Sequence, residues 1–128
     1  MSREITVRGI VIGTRAVGEG SLRVSLYTDG LGLVQALAKS AREERSKLRA
    51  HLQEGTIGMF TLVRGVNTWR VTGAVGTRNI FFELGERTVA RETAARVLST
   101  VRQFVRGEVS DPFFFSVLSG FLSVLPNL

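Results

Sequence analysis

Cysteine is absent from the 128 residues, and histidine occurs once, as His51. A disulfide framework, a thiol nucleophile and a cysteine-ligated zinc are therefore excluded. One histidine is too few for a His-rich metal site or for most acyl-transfer triads, so no cofactor is expected. Proline is scarce, with only Pro112 and Pro126. No charge-free apolar run reaches the roughly 20 residues that span a bilayer. The start, Met1-Ser2-Arg3-Glu4, leads into a strand-like pattern without an apolar signal core, so a cytoplasmic protein and no membrane contact are expected. Acidic residues are the minority, 11 against 17 basic ones, for a net charge of +6. What remains is a small basic chain with an ordinary apolar fraction of 44%, enough for one folded core.

The charge is unevenly placed. The whole excess lies within residues 1–80, whereas residues 81–128 balance five arginines against five acids. Two units follow, one basic and one neutral, and a basic excess confined to one unit fits nucleic-acid binding by counterion release. An arginine-rich background composition is the bland explanation of the same count.

Residues 1–80 read as strands. Ile5–Val17 is rich in β-branched residues, and Gly9 and Gly13 mark bends, bulges or close backbone approach. Such a strand suits one shared by two halves of a small barrel. Leu22, Val24 and Leu26 alternate with Arg23, Ser25 and Tyr27, and Asp29-Gly30 signals a hairpin into Leu31–Lys39. A polar stretch fills 40–54. Strand character returns over Ile57–Arg64 and Thr68–Thr77, where Trp69, Val71 and Val75 alternate. Five strands with the long connection after the third predict an all-β five-stranded OB-fold barrel, 1–80. A five-stranded SH3-like barrel competes. Beyond residue 86 the period becomes helical: Ala90, Ala94, Val97, Leu98, Val101 and Val105 share a face, with Thr88 as start and Gly107 as end. Ser110-Asp111-Pro112 opens a second, uncharged helix that Pro126 stops. The barrel is thus followed by a short α-helical segment, 81–128.

The run Arg8-Gly9-Ile10-Val11-Ile12, then Gly18-Glu19-Gly20-Ser21, Leu26-Tyr27-Thr28, Gly32, Ala38-Lys39 with Arg42 before Ser46, Leu52-Gln53 and the final strands around Trp69 resemble the N-terminal domain of the RecO family. These are bacterial recombination mediators. The resemblance covers residues 4–80 and, more loosely, the first helix. It implies an OB-fold that binds single- and double-stranded DNA, followed by a helical domain. It also implies strand annealing, and recombinase loading on strands coated by single-strand binding protein, in concert with RecR and RecF. The cysteine zinc element of many members has no counterpart here.

Lys39, Arg42, Arg45, Lys47 and Arg49 place five cations within eleven residues, and with outward Arg23 and Arg70 they form a candidate phosphate-tracking groove. Lys39 and Arg42 match the family pattern. A solvated loop in which Glu43 and Glu44 neutralise these cations is the alternative. Tyr27, on the polar side of its strand, is the candidate for base stacking, and Trp69 is read as core. His51 reads as a loop residue. Glu43-Glu44 point to different faces, Gly18-Glu19-Gly20 does not open a helix, and no serine has an evident base, so no enzyme is expected. A protein-interaction adaptor and an OB-fold RNA binder remain as other classes. The uncharged second helix carries apolar residues all round, so self-association through 112–125 is a further expectation.

Overall fold

The computed structural model describes residues 4–43 and 46–128. Five strands, β1 (Glu4–Val17), β2 (Ser21–Thr28), β3 (Gly32–Ala38), β4 (Thr56–Arg64) and β5 (Trp69–Asn79), are followed by helices α1 (Ile80–Leu84), α2 (Thr88–Phe104) and α3 (Pro112–Val124). The strands close into a barrel in the order β1-β2-β3-β5-β4. All neighbours are antiparallel except β3 and β5, which run parallel through Ala36–Trp69 and Leu37–Arg70. That order is the OB arrangement, and it sets the SH3-like alternative aside.

β1 belongs to both halves, as its interrupted sequence suggested. Glu4–Ile10 pairs with β4, and Gly9–Val17 pairs with β2, with a register shift between Val11 and Gly13 that leaves Ile12 unpaired. Val7, Val11, Val24, Leu26, Val34, Phe60, Leu62 and Trp69 fill the barrel. Leu52 and Ala41, from the connection between β3 and β4, are buried against this cluster. Trp69 is core, 6% exposed, with its Nε1–H buried and unpartnered.

Alternation fails once. Val75 was expected to share a face with Trp69 and Val71, yet it is 61% exposed. Thr72 and Thr77 are skipped in the pairing of β4 with β5, and each extra residue reverses the phase. Helix α1 also escaped the sequence reading. It is a single turn, too short to show a period, capped by the Asn79 side chain accepting from Phe82 N–H at 3.0 Å. The start of α3 follows its sequence: Asp111 accepts from Phe114 N–H at 3.0 Å, and Pro112 takes the first turn.

The outer face of β1, β2 and β3 is built in transverse rows. Ile10, Tyr27 and Leu33 are register partners and form the first row. They are buried in a second cluster with Ile80, Leu84, Ala94, Leu98, Val101, Phe115, Leu118, Leu122 and Leu125. Tyr27 is therefore correctly placed on the outward side, but it is only 1% exposed. Its ring lies 5.7 Å from Phe114 and 6.0 Å from Phe115. The expectation that it stacks on bases is overturned, because α3 covers it. Burial, and secondarily the Asp111 carboxylate, push its phenol above the ordinary tyrosine value. Gly32, at φ 70°, lets the α2–α3 linker cross here, since a Cβ would meet the Val109 carbonyl at 2.5 Å. Leu33 N–H donates to the Gly107 carbonyl at 3.1 Å, and Ser110 Oγ to that of Asp29 at 2.9 Å. The other side of α3 stays open, with Phe113, Val117 and Val124 exposed.

Two predictions follow from this packing. Tyr27→Ala should cost about 3–5 kcal/mol of folding free energy, as large-to-small core changes do, measured by denaturant unfolding; a loss near zero would contradict the buried assignment. The second concerns Arg78, whose Nε donates to Glu83 at 2.8 Å and whose Nη2 donates to the Ser123 carbonyl at 3.3 Å, tying β5 to α1 and α3. That hydrogen-bonded guanidinium holds the Glu83 carboxyl below the usual carboxylate range. The pair's contribution is full above the unfolded carboxylate value of about 4.3 and is lost as pH falls through the lowered folded value. Arg78→Met should therefore lower the melting temperature at pH 7, with the gap to wild type narrowing below about pH 4.

Candidate nucleic-acid interface

Beyond the covered row lie two further rows, of which the first is partly covered: Gly13 and Ser25 are buried and Gln35 is exposed. Gly13, Ser25 and Gln35 are register partners, and Ser25 Oγ donates to Gln35 Oε1 at 2.8 Å. The next row runs Arg15, Arg23, Leu37, Arg70 across β1, β2, β3 and β5. Strands lie about 4.8 Å apart, so Arg23 and Arg70 are separated by about 10 Å along this row. The face thus grades from apolar to polar to cationic within one sheet. All three arginines are exposed. Among the described residues, only Arg64 and Arg78 have a carboxylate within ion-pair distance.

Arg15 directly opposite Arg23 is an unfavourable cross-strand choice, because like charges in that position repel. Among the described residues neither arginine has a carboxylate within ion-pair distance to offset that repulsion. Two cavities lie along this face. One cavity of about 500 Å³ is lined by Arg15, Arg23, Ser25, Gln35 and Arg102. A second, of about 640 Å³, shares Arg23 and Gln35 and reaches Asn67 and Thr68 in the β4–β5 turn. Arg64 lies 5.0 Å above the Trp69 ring and 3.5 Å from Glu108. No group of three or more metal-ligating side chains occurs among the described residues.

The sequence candidates divide. Arg23 and Arg70 lie in the cationic row. Lys39 is exposed two residues beyond Leu37 on the same strand line, at the β1–β2 turn end of the face. Arg42 N–H donates to the Gly20 carbonyl at 2.8 Å and its Nη2 to that of Gly18 at 2.6 Å, so it also braces that turn. Lys47 and Arg49 are exposed on the β3–β4 connection. The short 3₁₀ turn Arg49–His51 is anchored where His51 Nδ1 accepts from Gly76 N–H at 3.0 Å. Gly76 is six residues, about 20 Å of strand, along β5 from Arg70. The expectation of one groove holding all seven cations is therefore corrected: Arg49 belongs to another part of the surface. His51 is half-buried and structural. Arg45 lies outside the described residues. Arg15, Arg64 and Arg102 were missed. The register across the Gly18–Gly20 turn would have found Arg15, but nothing local points to Arg102.

The closed barrel, with cations on its β2–β3 side and a polar β4–β5 turn, is a barrel of the OB-fold class. Comparison with known proteins narrows this. The family model described as Recombination protein O N terminal matches residues 1–78, and the chain belongs to that RecO family. It is 31% identical over 124 residues to the DNA repair protein RecO of Dehalococcoides mccartyi, covering 97% of this chain and 49% of that one. RecO of Rubrobacter xylanophilus is 31% identical over 118 residues, and that of Alkaliphilus metalliredigens 26% over 121. The coverage is 92% and 94% of this chain, and 47% and 49% of those relatives. The chain spans about half the length of these curated relatives. No helix among the described residues is long and apolar enough to cross a membrane.

Proposed function

We propose that this chain binds single- and double-stranded DNA through the open part of its β1–β2–β3–β5 face, as the binding unit of a recombinational repair protein. The row Arg15–Arg23–Leu37–Arg70 carries this reading, because it sets guanidinium groups without ion-pair partners among the described residues at strand spacing on the face that OB-folds use for oligonucleotides. Lys39 and Arg42 extend the cationic surface towards the β1–β2 turn. With Tyr27 covered, backbone contact dominates and base stacking contributes little, so binding is tolerant of sequence and strongly dependent on salt.

Family membership supports the larger role. Neutralising phosphates on two strands at once favours annealing, and a sequence-tolerant face suits recombinase loading on strands coated by single-strand binding protein. RecR, RecF and single-strand binding protein are the proposed partners. The exposed apolar side of α3 favours a protein contact as well, including self-association through 112–125. The chemistry requires no catalytic group.

The test is fluorescence anisotropy with labelled single-stranded DNA, duplex DNA and RNA of equal length at two salt concentrations. Arg23→Glu combined with Arg70→Glu should weaken DNA binding for all sequences alike. It should also flatten the slope of log affinity against log salt by about 0.7 per lost single-strand contact. An unchanged slope in a folded double variant would overturn the reading. Stronger binding of RNA would favour the OB-fold RNA binder, and negligible affinity for every nucleic acid would favour the adaptor.

A further inference from the structure

Arg102 lies on α2, in the segment whose net charge is zero, yet its Nη1 donates to the Ile12 carbonyl at 2.7 Å, 90 residues earlier. Two features of β1 make room for it. Ile12 is the bulged residue, skipped in the pairing with β2 and beyond the end of the pairing with β4. Gly13 follows, and a Cβ there would stand 2.6 Å from Arg102 Nη1. A side chain at residue 13 would force the guanidinium to shift from this position.

Satisfying one carbonyl is a use that any single donor could serve. A guanidinium has five N–H groups in a fixed fork, and among the described residues Arg102 donates to the Ile12 carbonyl alone. Arg102 lines the 500 Å³ cavity together with Arg15, Arg23 and the hydrogen-bonded Ser25 and Gln35. Glu54 is on the same wall, but no ion pair joins it to these arginines among the described residues. Three guanidinium groups around one polar cavity repel one another until an anion enters. Planar forks match phosphate oxygens in pairs.

We infer that Arg102 completes a phosphodiester-binding pocket with Arg15 and Arg23, so that helix α2 forms one wall of the nucleic-acid interface. This rests on the DNA-binding reading above and extends it. The strand's path then crosses the sheet from the β4–β5 turn, over Arg23 and Gln35, to α2. The barrel alone does not make the whole site.

The full chain is titrated with labelled oligo-dT at two salt concentrations, and its melting temperature is recorded for each variant. Arg102→Gln should weaken binding several-fold and flatten the salt slope by about 0.7, and Arg102→Lys should keep the slope. Gly13→Ala, which displaces the side chain without removing it, should weaken binding like Arg102→Gln. Glu54→Gln, which leaves the arginines untouched, should tighten binding two- to threefold. Wild-type affinity and slope in Arg102→Gln, with Arg23→Glu still weakened, would overturn the pocket and leave Arg102 a carbonyl cap. Wild-type behaviour in both would instead defeat the underlying DNA-binding reading. If Arg102→Gln and Gly13→Ala lower the melting temperature sharply, Glu54→Gln decides: unchanged affinity there overturns the pocket.

Discussion

Ile10, Tyr27 and Leu33 make one apolar row on the outside of the sheet, and the rest of the structure depends on that row being covered. An exposed tyrosine beside an isoleucine and a leucine would be a large apolar patch on a barrel that already has its own core. Phe115, Leu118 and Leu122 of α3 and Leu98 and Val101 of α2 need the same surface for their buried sides. Barrel and helices therefore share a second core, and neither completes it alone. The α2–α3 linker is pinned to the hairpin at Gly32, Leu33 and Asp29, and in the next row Arg102 of α2 reaches over Gly13 while Gln35 stays exposed. The arginines of the cationic row are exposed beside it.

Register errors in a small barrel are expensive, and the bulges here set which side chains face outward. The extra residue at Ile12 aligns Arg15 with Arg23 and frees a carbonyl for Arg102. The extra residue at Thr72 turns Val75 out after Trp69 and Val71 have faced in. Each bulge costs ladder hydrogen bonds and strengthens local twist. In return, the barrel closes on five strands while three arginines come to one row without acidic partners among the described residues.

Much of this was legible in the sequence, for definable reasons. Clean alternation at Leu22–Tyr27, the Asp29-Gly30 turn, the long third connection and the Asp111-Pro112 helix start are local signals, and each is present where local physics placed it. The RecO family assignment rested on the same strands. What stayed hidden is non-local. Alternation told that Tyr27 faces outward, but not that residues 113–118 return to cover it. Proximity in sequence grouped Arg49 with Lys39, whereas the connection carries Arg49 to the far end of β5. Arg102 belongs to a segment, 81–128, whose net charge is zero, and only the bulge at the opposite end of the chain gives it a role.

The central claim is that one face of the barrel is divided between helix packing and nucleic-acid contact, row by row. Backbone amide shifts in a ¹H–¹⁵N NMR titration with oligo-dT test this directly. Arg15, Arg23, Ser25, Gln35, Leu37 and Arg70 should move with the ligand, while Ile10, Tyr27 and Leu33 should not. Shifts centred on Arg49 and the β3–β4 connection, with the cationic row silent, would contradict it.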